Sequence, residues 1–114
     1  MADNIIYINS EEGIKRVVNN AKIYAKLLAK FKIDPSFSGL EKAIAEGDME
    51  NAKGLSHTLK GLAANLSLTE LTKQCIELES QIKSGNLNPE QFTLVKDVYV
   101  QTLSEIDKVI AQYA

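Results

Sequence analysis

Tryptophan is absent from this sequence, and cysteine and histidine each occur once, as Cys75 and His57. A single thiol closes no intrachain disulfide. One histidine plus one cysteine is a poor ligand set for a structural metal. Cys75 falls at helical spacing with Leu71 and Leu78 and reads as a small buried hydrophobe, not a reactive thiol. No apolar run approaches the roughly 20 residues that a membrane span needs. The opening Met1-Ala2-Asp3-Asn4 lacks the basic flank and long apolar stretch of a secretory signal, and Met1 suggests a complete chain. Neither phosphate-cradling pattern, Gly-x-x-x-x-Gly-Lys or Gly-x-Gly-x-x-Gly, is present. ATP binding and autonomous kinase activity are therefore not expected. The formal charge of -2 gives the whole chain no bias toward nucleic acid or anionic lipid. The four tyrosines and three phenylalanines fall mostly at core spacing, not interleaved with basic residues on a nucleic-acid surface. These exclusions leave a cytoplasmic protein, or a cytoplasmic domain of a larger one, with neither nucleic acid nor membrane as an expected partner.

What is present suits one globular domain over residues 1–114, at 45% hydrophobic and 25% charged residues. Repeats, linkers and low-complexity tracts are missing. The two prolines read as helix starts: Asp34-Pro35 and Asn88-Pro89 each offer an N-cap followed by proline at the first helical position. Gly47-Asp48 and Gly85-Asn86 each read as a helix end followed by a new start. Residues 4–9 form a short apolar lead-in. Ser10 is placed to cap a short helix carrying Ile14, Val17 and Val18. Asn20 caps the next, with Tyr24, Leu27, Leu28 and Phe31 on one side. A third short helix carries Phe37, Leu40 and Ile44. The fourth spans about residues 48–66. The fifth carries Leu71, Cys75, Leu78 and Ile82. The sixth carries Phe92, Val95, Tyr99, Leu103, Ile106, Ile110 and Tyr113. Steps of three and four mark one buried face per helix. The expected fold is all-α: an antiparallel four-helix bundle of the helix at about 20–33 and the fourth to sixth, with the short helices packed at one end.

On the fourth helix, Ala52, Leu55, Leu59, Leu62 and Leu66 form the expected core stripe. His57 lies about 180° from its middle and projects into solvent. Its neighbours at contact spacing are Lys53, Gly54, Lys60, Gly61 and Ala64. A helical glycine costs about 1 kcal/mol relative to alanine, so helix stability alone does not choose two beside one histidine. They clear space for another protein's surface, and the lysines supply positive charge where a phosphoryl group would sit. An ordinary surface histidine, with glycines for close helix packing, is the plainer explanation. The combination argues against it.

Ser56-His57-Thr58-Leu59-Lys60-Gly61-Leu62-Ala63 resembles the histidine phosphotransfer (HPt) signature, His-x-Leu-Lys-Gly-x-Ala. Glu46-Gly47-Asp48 resembles the turn that opens the histidine-bearing helix in that family. Leu71 and Leu78-Glu79 fit its next helix, and Gly13-Ile14-Lys15-Arg16 and residues 24–31 resemble its opening helices. Ser67 stands where the family often has glycine, and Leu68 where it often has alanine; Ser67 is also placed to cap the fifth helix. The resemblance implies a phosphorelay intermediate, with His57 as the phosphorylated nucleophile and Lys60 stabilising the phosphoryl oxygens. Lys53, Gly54, Gly61 and Ala64 would form the docking surface. The implied partners are response-regulator receiver domains, such as that of a hybrid sensor kinase. Magnesium is expected in the receiver's acidic pocket and no cofactor or metal in this chain, which is expected to act as a monomer.

A free imidazole titrates near pH 6.5, so a neutral nucleophilic form is available at physiological pH. Nε2, farther from the backbone, is the better-exposed nitrogen. The competing reading is a helical docking or scaffold module that keeps the fold without carrying phosphate. Lys60 and Gly61 favour the carrier. An autonomous hydrolase is disfavoured because no second catalytic group is apparent.

Overall fold

The structure, a computed structural model, describes residues 5–113. Six helices follow one another: α1 (Ser10–Arg16), α2 (Ala21–Lys32), α3 (Ser36–Ala45), α4 (Met49–Asn65), α5 (Thr69–Ser84) and α6 (Pro89–Tyr113). Among the described residues there is no strand. Asn4, the first residue of the expected lead-in, lies outside the described residues, and residues 5–9 have no regular structure.

Local chemistry sets the helix ends, with some corrections to the expected boundaries. Asn9, not Ser10, caps α1: its side chain accepts from the Glu12 N–H at 3.2 Å, and Ser10 is the first helical residue. Val18 is not on a buried face. α1 ends at Arg16, and Val18 and Asn19 turn through φ 56° and 58°, leaving Val18 90% exposed. Asn20 caps α2 as expected, accepting from Ile23 N–H at 3.1 Å. α3 begins at Ser36 rather than Pro35, and the Asp34 carboxylate accepts from the Ser36 N–H at 2.8 Å. Asp48 caps α4, accepting from Asn51 N–H at 3.2 Å after Gly47 turns at φ 73°. Gly85 ends α5 in the left-handed conformation at φ 74°.

α4 packs between α3 and α5, and α6 lies against α5 and α2. α3 therefore lies along α4, not at one end of the fold. Tyr24, Leu28, Leu40, Leu59, Leu68, Leu71, Leu78 and Ile106 are fully buried in one core. Phe37 stacks on Tyr99 at 4.0 Å and on Phe92 at 5.9 Å, joining α3 to α6.

The buried stripe of α4 also differs from the expected one. Ala52, Ser56, Leu59 and Ala63 are buried, whereas Leu55 and Leu62 are half-buried at the flank. Small residues take the centre because they let a neighbouring helix approach closely; hydrophobicity alone pointed to the leucines. With this stripe, His57 sits about 130° from the core direction, turned partly toward α5.

The turn between α4 and α5 sets how these helices register, and it is tied down. Ser67 is buried at φ 58°, its N–H bonding to Ala64 O and the Leu68 N–H to Ala63 O. Ser67 does not cap α5, whose N-cap, Leu68, makes no side-chain bond. Its hydroxyl instead donates to Glu12 at 2.7 Å, and its carbonyl accepts from Asn9 N–H. The Tyr24 phenol donates to Leu66 O at 2.6 Å, and burial, with Glu12 nearby, pushes its pKa up to about 12.

Candidate functional site

His57 lies in the middle of α4, with 67% of its side chain exposed. Across the α4–α5 hairpin stands Glu79, whose side chain is only 5% exposed. Its Oε2 lies 3.0 Å from His57 Nδ1, and its Oε1 accepts from Lys60 Nζ at 2.6 Å. Lys83, one turn further along α5, places its Nζ 3.3 Å from Oε2. One buried carboxylate thus holds an imidazole and two ammonium groups.

Burial alone would push the Glu79 carboxyl upward. The hydrogen bonds from Lys60, His57 and Lys83 outweigh burial and hold it at about 2. Glu79 is therefore ionised at neutral pH and only accepts. A carboxylate facing Nδ1 requires the proton to be on Nδ1. In neutral His57 the lone pair then belongs to Nε2.

The glycines leave this face open. A Cβ added at Gly54 or Gly61 meets nothing within 4 Å. Close packing within the molecule does not explain them. Ala64 is half-buried beside them. Lys53 is paired with Glu50 at 3.7 Å and is not drawn into the carboxylate cluster. Lys60 is close to His57, but its ammonium rests on Glu79 with 28% of its side chain exposed. A cleft of about 460 Å³ opens beside the cluster, lined by Lys60, Ile76, Glu79, Ser80, Lys83 and Ser84. Cys75 is fully buried below, and burial plus the Glu79 charge push its thiol up to about 12. It remains an unreactive thiol, in keeping with its reading as a core residue.

Glu79 is legible in the sequence only as part of the next helix, and sequence reasoning gave it no role at the site. Its signal is a glutamate four residues after the buried Cys75 and beside Leu78, an acid on the edge of an apolar stripe where charge is costly without a partner.

An exposed histidine clamped by a buried acid on a helical hairpin suits a protein that presents a nucleophile rather than one that encloses a substrate. Residues 33–112 match the family model of the Hpt domain, and this chain belongs to that family. It is thus a histidine phosphotransfer domain of two-component signalling, a phosphocarrier rather than a catalyst. The match takes in α3 to α6, while α1 and α2 precede it. Neither a curated protein nor a solved structure matches the chain.

Proposed function

We propose that this chain is a phosphorelay intermediate that takes a phosphoryl group onto His57 Nε2 from the aspartyl phosphate of one receiver domain and passes it to another. The observation that carries this reading is the Nδ1 contact to ionised Glu79, which leaves the Nε2 lone pair free on an exposed, open face. Nε2 attacks phosphorus in line, the bond from phosphorus to the aspartyl oxygen breaks, and the carboxylate leaves. The Nδ1 proton stays in place, and Glu79 balances the positive charge the ring acquires. Lys60, one turn away, moves from Glu79 to the phosphoryl oxygens as their charge arrives. The reverse sequence delivers the group to the next receiver.

Gly54, Gly61 and Ala64 admit the receiver, with Lys53 adding charge at the edge. Receiver pockets are acidic, so a basic rim speeds encounter. Magnesium belongs to that pocket, and this chain contributes no cofactor. The receiver of a hybrid sensor kinase is the expected donor. The chain works in the cytoplasm as a monomer, without nucleic acid, on an antiparallel four-helix core. The test is acid-labile labelling by a phosphorylated receiver. His57→Gln should abolish the label while lowering stability by no more than about 1–2 kcal/mol, because it disturbs one of the three donors to Glu79 and leaves the two lysines in place. Undiminished labelling of the variant would place the phosphorylation site elsewhere. A wild-type chain that binds receivers and never takes the label would be a scaffold.

A further inference from the structure

The net charge of -2 conceals a segregation. Residues 13–33 hold six of the 13 lysines and arginines and none of the 15 acids, so this stretch carries +6 and the remainder -8. It comprises the end of α1, the following turn and all of α2, and lies almost wholly outside the region matching the Hpt family. At about 100° per residue, Lys22, Lys26, Lys30 and Ile33 share one face of α2, with Ile23 at its edge. Tyr24, Leu28 and Phe31 take the opposite, buried face. Arg16 pairs with Glu12, and Lys32 with Asp107. Lys22, Lys26 and Lys30 are exposed, and no ion pair involves them among the described residues. Large apolar side chains stand in the open in the same stretch of chain: Val18 is 90% exposed, Ile33 83% and Ile23 45%. Val18 is held out at φ 56°, a region that β-branched residues avoid.

We propose that the exposed face of α2, with the turn before it, docks this protein peripherally on an anionic lipid bilayer. A helix face that mixes lysines with isolated apolar tips fits the boundary between headgroups and acyl chains. The tips insert and the lysines meet lipid phosphates. A fluid surface accepts apolar tips at any spacing, whereas an acidic protein partner needs a matching pocket for each. Single-stranded nucleic acid would call for planar side chains that stack on bases, and a duplex for hydrogen-bonding side chains that read base edges, whereas the tips on this face are valine and isoleucine. Among the described residues no helix is long and apolar enough to cross a membrane, so the contact is superficial. α2 packs chiefly on α6, while His57 lies at the α4–α5 hairpin. The docking is independent of the relay reading, because among the described residues no hydrogen bond or ion pair links Lys22, Lys26 or Lys30 to His57 or Glu79.

The experiment is co-sedimentation of the full chain with vesicles of about three parts phosphatidylcholine to one part phosphatidylglycerol, against pure phosphatidylcholine. Each lysine that reaches an anionic surface multiplies the affinity about fivefold, so three contribute roughly a hundredfold. The chain should sediment with the anionic vesicles alone and be released as salt is raised. Exchanging Lys22, Lys26 and Lys30 for glutamate should remove binding, with helical circular dichroism unchanged. Ile33→Ser, which alters no charge, should weaken it about threefold or more. Absence of sedimentation with anionic vesicles, equal binding to neutral ones, or binding unaffected by salt or by the three charge reversals would overturn the proposal. Binding to polyglutamate but not to vesicles would also overturn it, in favour of an acidic protein partner.

Discussion

Replacing Glu79 by glutamine tests the centre of the site. The amide keeps the size and one acceptor oxygen but removes the charge that three donors share. The native carboxyl is held at about 2 against an ordinary value of 4.5. At about 1.4 kcal/mol per unit, this corresponds to stabilisation on the order of 3 kcal/mol. Because the folded value is depressed, that stability is fully present above the ordinary carboxylate range. It is lost as pH falls toward 2. The Glu79→Gln protein should therefore be about 2–4 kcal/mol less stable than wild type at pH 7. Most of the gap should close by pH 2, where wild type too is losing its charge. Guanidinium unfolding of both proteins across that pH range measures the difference directly, and other carboxylates cancel in the comparison. A gap that stays constant from pH 7 to pH 2 would refute the reasoning, because it would reflect lost shape rather than lost charge. A gap near zero at pH 7 would show that the three contacts only offset the cost of burial. The same variant should lose part of its phosphotransfer rate, since an amide no longer dictates the Nδ1 tautomer.

The open glycines give a contrasting pair. Gly61→Ala should leave stability unchanged or raise it by up to about 1 kcal/mol, because its Cβ meets nothing within 4 Å. Gly61→Gln should weaken receiver affinity by obstructing approach one turn beyond His57, and normal binding and transfer in that variant would show the docking face to be misplaced. Lys60→Ala should leave receiver affinity largely intact and slow single-turnover transfer, which rapid-quench labelling would detect. Gly13→Ala should destabilise by about 1–3 kcal/mol by overpacking, since its Cβ would run into the Tyr24 ring; thermal unfolding reads this.

All six helices were legible in the sequence, because helix ends are set by nearby residues. Asn20, Gly47-Asp48 and Gly85 act where their local chemistry says they should. Errors there were one-residue shifts at Ser10, Pro35 and Ser67, plus Val18, whose apolar side chain looked like core. The candidate histidine was equally legible, since about half a helical turn separates it from the apolar stripe read in the sequence and two glycines flank it. Tertiary structure decided the rest. Ser56 and Ala63 line the α4 core in preference to Leu55 and Leu62, because interhelical distance, not side-chain hydrophobicity, selects what fits between close helices. Ser67 takes a left-handed turn, where glycine is the easier choice, and spends its hydroxyl on Glu12 instead of on a cap. That turn registers α5 against α4 and brings Glu79 to His57 and Lys60, 22 and 19 residues away in the chain. No periodicity within one helix reports such a contact, because it depends on how two helices slide past each other.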